Sequence, residues 1–230
     1  MSSWSAGVVL GALTHATVHA VAAPTDTVRV GAIWLDRTEV SIVRFAEFAD
    51  RTSVTTAAES GGGHEFDGGW TRRAGWSFRR PFGVAASPDE PAVHVSWSEA
   101  AAFCADHGGR LPRETEWRAA AFTEVRAEAA GFEAGRTYPF ATGETPDGLW
   151  TREVSGGRHR EVGSGPPGIN GLHDMGGNVW EWLADRRGGE ALTAGGSWWY
   201  GARESRADRT QWKDASFFAL YIGFRCAYDR

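Results

Sequence analysis

The sequence predicts one loop-rich domain in which short strands and a few helices share a core built around aromatic rings. Three observations lead there. At 230 residues the chain fits a single domain, of a size that buries roughly 70% of the surface its unfolded form exposes. The 42% hydrophobic and 23% charged residues are those of a globular protein, yet 30 glycines and 12 tryptophans call for irregular backbone packed around large rings. Helical or strand periodicity, finally, surfaces only in brief stretches between turn residues.

Residues 1–23 read as a leader. The apolar run Gly7 to Leu13 and the small-residue end Ala20-Val21-Ala22-Ala23-Pro24 resemble a secretory signal peptide. No Lys or Arg precedes the run, and His15 and His19 follow it closely, so a poorly ordered or docked cytosolic N-terminus is the alternative. One domain is expected over 27–230. Thr27 to Leu35 alternates loosely, with Val28, Val30, Ala32 and Trp34 on one face, as a half-buried strand does. Ser41 caps a helix with the stripe Ile42, Phe45, Phe48 and Ala49, ending near Arg51-Thr52. Residues 61–92 are glycine-rich, carry Phe66, Trp70, Trp76, Phe78 and Phe82, and lack either period, which reads as a long ordered loop.

Ser96-Trp97-Ser98-Glu99 is a capping box, so a helix runs from Trp97 to about His107 with Gly108 as its stop. A second runs from about Arg113 to Phe122, joined through Gly108-Gly109-Arg110-Leu111-Pro112. From Arg126 to Gly171 turn residues and isolated aromatics dominate, and the C-terminal part returns to tryptophan and short strand-like pieces. No repeat or linker divides the chain.

The formal charge of -5, the single lysine (Lys213) and the scattered arginines give no cationic stripe for nucleic acid. Past the leader no segment approaches the 18 or so apolar residues of a membrane span. Two cysteines, Cys104 and Cys226, exclude a cysteine-rich zinc site and a disulfide-dense mini-fold. A single disulfide remains open. His64, His94, His107, His159 and His173 show no close metal-ligand spacing.

Asp174-Met175-Gly176-Gly177-Asn178-Val179-Trp180-Glu181-Trp182 fits neither an amphipathic helix nor an alternating strand. Paired glycines against an aromatic-acid-aromatic run imply backbone in special conformations pinned by rings. Taken in order, Glu39-Val40-Ser41, Thr55 to Glu59, Val93 to Trp97, Gly109 to Pro112 with Glu116-Trp117, Gly177 to Trp182, Gly195-Gly196-Ser197-Trp198 and Gly223-Phe224-Arg225 resemble the formylglycine-generating enzyme family, the sulfatase-modifying factors. The match covers roughly Val28 to Asp229.

The resemblance implies an α+β, C-type-lectin-like fold low in regular structure, and a disulfide between Cys104 and Cys226 that suits an oxidising compartment. It implies a structural calcium site at the turn, from side-chain oxygens of Asp174 and Glu181 and carbonyls of Gly177 and Val179, since Ca²⁺ takes hard oxygen ligands from a bent loop. The alternative is a metal-free turn with Glu181 paired to an arginine. In the family two cysteines after Gly-Gly-Ser-Trp bind copper; the matching positions here are Tyr200 and Ser205, which offer no thiolate to Cu(I). Formylglycine generation is therefore not expected. The chain resembles the cysteine-lacking relatives that mature pyoverdine, and no histidine-rich iron domain like that of the ergothioneine-synthesising relatives is read in these residues, so iron-dependent sulfoxide chemistry is not expected.

The family's substrate groove corresponds to Ser197 to Arg206. Glu204 is the candidate general base, with Arg203, Arg206 and Arg209 positioning an anionic or carbonyl group; a solvated salt-bridge cluster is the alternative. Ser197 is a candidate hydrogen-bond partner or a turn cap, and Tyr200 an acid, radical relay or packing ring. Trp198, Trp199 and Trp212 are candidates for a stacking wall, or for core. Two functions follow: an exported, periplasmic or secreted, oxidative tailoring enzyme for a peptide-derived or small-molecule substrate, or a non-catalytic binding module using the aromatic groove. No redox metal is named by the sequence.

Overall fold

The protein is described by a computed structural model covering Met1 and residues 26–229. The leader expected over 1–23, with His15 and His19, lies outside the described residues. Apolar runs too short to make large sheets produce an α+β arrangement of three small sheets and four helices among the described residues.

β1 (Thr27–Val30) and β2 (Ile33–Asp36) pair as an antiparallel hairpin, Val30 opposite Ile33. This corrects the single strand read over 27–35. Gly31 takes φ +61°, a conformation glycine adopts freely, and the reversal turns Ile33 and Leu35 inward while Ala32 is exposed. α1 (Ile42–Thr52) buries the four expected residues, Ile42, Phe45, Phe48 and Ala49. α2 (Ala57–Gly61) starts on a capping box in which Glu59 N–H donates to Thr56 Oγ1 at 3.1 Å and Glu59 Oε2 accepts from Thr56 N–H at 2.9 Å.

The stretch read as a loop over 61–92 contains a hairpin, β3 (Gly63–Phe66) and β4 (Trp70–Arg73). Its four-residue strands carry too few apolar positions to show a period, and Phe66 and Trp70 remain 45% exposed. α3 (Trp97–Asp106) begins where Ser96 N–H donates to Glu99 Oε2 at 2.8 Å, and α4 (Glu114–Phe122) follows as expected.

The largest sheet orders β7 (Thr210–Asp214), β6 (Glu190–Ala194), β5 (Trp180–Arg187) and β8 (Ile222–Gly223), with only β5 and β8 parallel. β9 (Ala227–Asp229) completes the β1-β2 sheet. The first half of β5, residues 180–183, is buried on both faces, because its alternating side chains enter a different cluster on each side. Trp180 and Trp182 enter one cluster with Phe45, Phe103 and Phe224; Leu183 enters a second with Trp117, Leu35 and Leu192. That explains why the segment lacked an alternating pattern.

Cys104 of α3 and Cys226, preceding β9, form a disulfide with a Cα–Cα distance of 5.5 Å across 122 residues of sequence. Replacing both by Ala is expected to lower the unfolding free energy by about 2–5 kcal/mol, the usual effect of losing a native bridge. Urea denaturation of the double variant checks it; an unchanged midpoint would show that packing alone holds α3 to the C-terminal segment.

Candidate functional site

The glycine-rich turn before β5 is bent as its composition demands. Asp174, Gly177 and Asn178 take φ values of 55°, 81° and 47°. A Cβ at Gly177 would stand 2.7 Å from the Trp150 carbonyl oxygen, so only glycine fits there. Gly177 N–H donates to Gly195 O at 2.8 Å, and Trp198 N–H donates to Asn178 O at 2.9 Å. The turn thus directly holds the Gly195-Gly196-Ser197-Trp198 segment.

Beneath it lies a buried charge cluster. Arg225 is fully buried, and all five of its N–H groups are used. Nε and Nη2 donate to Glu181 Oε2 and Oε1 at 2.8 and 2.7 Å. Nη1 donates to Asp36 O and Arg37 O, both at 3.1 Å, and Nη2 also donates to His173 O at 2.8 Å. Trp117 Nε1 donates to Glu181 Oε2 at 2.7 Å. Asp174 Oδ1 accepts from Arg160 Nη2 at 2.6 Å, and Oδ2 accepts from Gly163 N–H at 2.9 Å.

All four carboxylate oxygens of the expected calcium ligands therefore already accept N–H donors. In this conformation the residues do not present the open oxygen shell that Ca²⁺ takes. The arginine-paired alternative describes Glu181. The unpartnered carboxylate oxygen nearby is Glu39 Oε2, on a buried side chain whose Oε1 accepts from Asn178 Nδ2 at 3.1 Å. Burial, reinforced by Asp174 and opposed by Arg225, pushes the Glu39 carboxyl well above its ordinary value. Among the described residues no group of three His, Cys, Asp or Glu side chains could hold a metal ion.

The groove segment divides sharply. Ser197 is fully buried and its Oγ accepts from Trp199 N–H at 3.4 Å, so it holds its own turn. Trp198 is core, 4% exposed, with its indole N–H on Leu220 O at 3.4 Å. Trp199 and Tyr200 are half-buried. Tyr200 packs edge-on against Trp180 and Tyr221, at 5.8 and 5.6 Å between ring centres. Ser205 is buried with no partner for Oγ; a Cβ on Gly196 would approach that oxygen to 2.5 Å.

Glu204 sits in a short 3-10 turn over Ala202–Ser205. Its contact is Gln211 Nε2, which donates to Oε2 at 3.4 Å. Arg206 instead pairs with Asp208 at 3.2 Å and lies over Phe140. Arg203 is exposed, and Arg209 keeps a buried Nε without a partner. The salt-bridge cluster that was the alternative for Glu204 is not assembled among the described residues. Trp212 faces the second core cluster, with Arg187 4.4 Å above its ring.

Sequence reasoning missed two parts of the site. Trp70, at the start of β4, meets Phe217 at 5.0 Å and Tyr221 at 5.8 Å, so the β3-β4 hairpin extends the ring wall of Trp199, Tyr200 and Tyr221. Lys213 reaches across the sheet face to place Nζ 4.5 Å above the Trp180 ring. Its signal was available as the lone lysine on the alternating strand Thr210–Asp214. Burial depresses its amine to about 7, with Glu204 pulling the other way.

The sulfatase-modifying factor enzyme 1-like domain model matches residues 6–230. The chain belongs to that family. A formylglycine-generating enzyme of Thermomonospora curvata is 32% identical, covering 90% of this chain and 85% of the relative. One of Streptomyces coelicolor is 33% identical, covering 70% of this chain but only 60% of the relative. PvdO from Pseudomonas aeruginosa shares the fold with a TM-score of 0.64 at 22% identity, covering 86% of this chain and 80% of that one. Among the described residues of this family member, no helix is long and apolar enough to cross a membrane.

Glu39 makes stability depend on pH with a definite sign. Its raised folded-state pKa favours folding below its unfolded value, and that contribution is lost as pH rises through the folded-state value. Glu39→Gln removes the buried charge, so its stability relative to the parent should improve between about pH 5 and about pH 8. Thermal melts at both pH values test this; a difference independent of pH would place the Glu39 carboxyl at its ordinary value.

Proposed function

We propose that this family member is an exported tailoring enzyme acting oxidatively on a peptide-derived or small-molecule substrate, and that it does not generate formylglycine. One observation carries the second half. Both cysteines of the chain are joined to each other, and the positions matching the family's copper pair are Tyr200 and Ser205, so no thiolate is available to Cu(I). The oxidative class rests on the family likeness. The disulfide fits a periplasmic or secreted setting.

The substrate reading rests on the ring wall. Trp70, Trp199 and Tyr200, backed by the buried ring of Tyr221, form a partly exposed aromatic surface beside Glu204 and Lys213. Planar or apolar groups stack on such a wall, while the ionisable groups at its edge take or give protons. Glu204 is the proposed proton acceptor: it is half-buried and, among the described residues, its carboxylate is unpaired with any arginine within 4.0 Å and hydrogen-bonded only through a long contact to Gln211. Ser197 and Trp198 act by holding the segment in place.

Mass spectrometry of peptide and small-molecule mixtures incubated with the protein in air provides the test. Glu204→Gln should slow product formation by about 10²–10⁴-fold while melting like the parent. Trp199→Ala should weaken binding by roughly tenfold, equivalent to loss of about 1–1.5 kcal/mol of ring contact. The burial of Ser197 and Trp198 favours a second reading, a binding module of the same fold. Saturable binding that survives Glu204→Gln, without product in any variant, would establish it.

Calcium at the turn is proposed in exchange for an arginine. Arg160, whose side chain is 18% exposed, would release Asp174 Oδ1 to the ion with the carbonyls of Gly177 and Val179, and Glu181 would join through the second lone pair of Oε1, which accepts one donor, Arg225 Nη2. Melting temperature should then rise on adding calcium, and Asp174→Asn should abolish the rise. A melt indifferent to calcium and to chelator would leave the arginine clamp as the turn's cross-link.

A further inference from the structure

Lys213 is the chain's sole lysine, and its surroundings are those of a chemically active amine. It lies on β7 opposite Ala191 of β6, on the sheet face shared with Trp180 and Trp182. Nζ donates to Gln211 Oε1 at 2.7 Å and stands 4.5 Å above the Trp180 ring. Among the described residues no carboxylate lies within the 4.0 Å of an ion pair with it. On an ordinary surface a lysine extends into water; this one is folded back over an indole, half-buried, at the edge of the ring wall.

We propose that Lys213 is a nucleophilic amine that captures the carbonyl carbon of an aldehyde or ketone ligand entering beside the half-buried Tyr200 ring, above the buried Trp180, holding it as a Schiff base. This rests on reading the groove as a ligand site but not on Glu204 acting as a base. The step is neutral in electrons. The Nζ lone pair forms the C–N bond as the carbonyl π bond breaks, and one amine proton passes to the carbonyl oxygen. The second amine proton and the new hydroxyl then leave together as water, giving C=N.

Three features support the assignment. A lysine desolvated in an apolar setting is a standard way to activate an amine, and Trp180, Tyr200 and Tyr221 supply that setting. The charged and titratable groups around it are few. Glu204 favours the ammonium but is outweighed by burial, and the Tyr221 phenol is held neutral by burial and the adjacent Tyr200. Gln211, finally, bridges Lys213 and Glu204, accepting from the first through Oε1 and donating to the second through Nε2. It separates the two groups, and an amine left without an ion-pair partner retains its lone pair for carbon.

Reductive trapping tests this on the full chain. The native protein is incubated with glyoxylate, and separately with benzaldehyde, in the presence of cyanoborohydride, then digested and mapped by mass spectrometry. Any lysine adduct is Lys213, and mapping distinguishes it from the N-terminal amine. We expect an adduct whose formation has its midpoint near pH 7, against about 10.4 for an ordinary lysine, and at neutral pH at least roughly tenfold faster than for denatured protein. Lys213→Arg should remove it while melting like the parent. Glu204→Gln should leave trapping intact or faster, since it removes a group that favours the ammonium, so failure of the tailoring reading is seen separately. Native Lys213 left unlabelled by both carbonyls, or labelled with the pH dependence of the denatured chain, overturns the proposal.

Discussion

The structure depends on the buried pair between Arg225 and Glu181. Taking two charges out of water costs several kcal/mol each, and the loss is recovered only where every donor and acceptor is satisfied. Here that condition holds: five guanidinium N–H groups meet five acceptors, and both carboxylate oxygens are occupied. Those acceptors come from the β2 end, the turn before β5, and β5 itself, while Trp117 brings α4. Three parts of the chain are thereby fixed to one planar group, and α4 is joined to them through Glu181. Lysine could not substitute, because its three N–H donors cannot reproduce the fork.

The groove inherits its shape from this clamp. Glu181 projects to one face of β5, and Trp180 and Trp182 project to the other. Locking Glu181 therefore sets the position of the ring on which Lys213 and Tyr200 rest. The turn that precedes it bonds Gly195 and Trp198, which fixes where Trp199 and Tyr200 leave the core. The disulfide closes the same region from the far side by tying α3 to the residue after Arg225.

Charge is handled in two opposite ways within a short distance along the sheet. Under the turn, carboxylates and guanidiniums are matched, and the surplus acid, Glu39, takes up a raised pKa instead of a partner. In the groove, Lys213 is left with an amide and a ring, and Glu204 with a long contact to that amide. Matched charges build rigidity; those in the groove share one amide, Gln211, and form no ion pair among the described residues.

Much of the fold was legible in order along the chain. α1, α3 and α4 announced themselves through a 3.6-residue apolar stripe, a Ser-x-x-Glu box and a glycine stop, all local properties. The strained turn was visible too, because paired glycines beside rings have few other uses, and the family's motifs marked the Cys104 and Cys226 partners. The β1-β2 and β3-β4 hairpins were not legible, since strands of four residues carry too little pattern to separate from loop. The division of the groove was decided only in three dimensions. Trp198 and Trp199 are adjacent in sequence and alike in chemistry, yet one is core and the other wall. Lys213 reads as an ordinary strand residue until a distant Trp180 is brought beneath it. Sequence determined the helices, the turn and the absence of a thiolate pair, because these follow from neighbours along the chain. Tertiary structure decided which side chains are desolvated and which remain unpaired, because burial depends on segments that the chain places far apart.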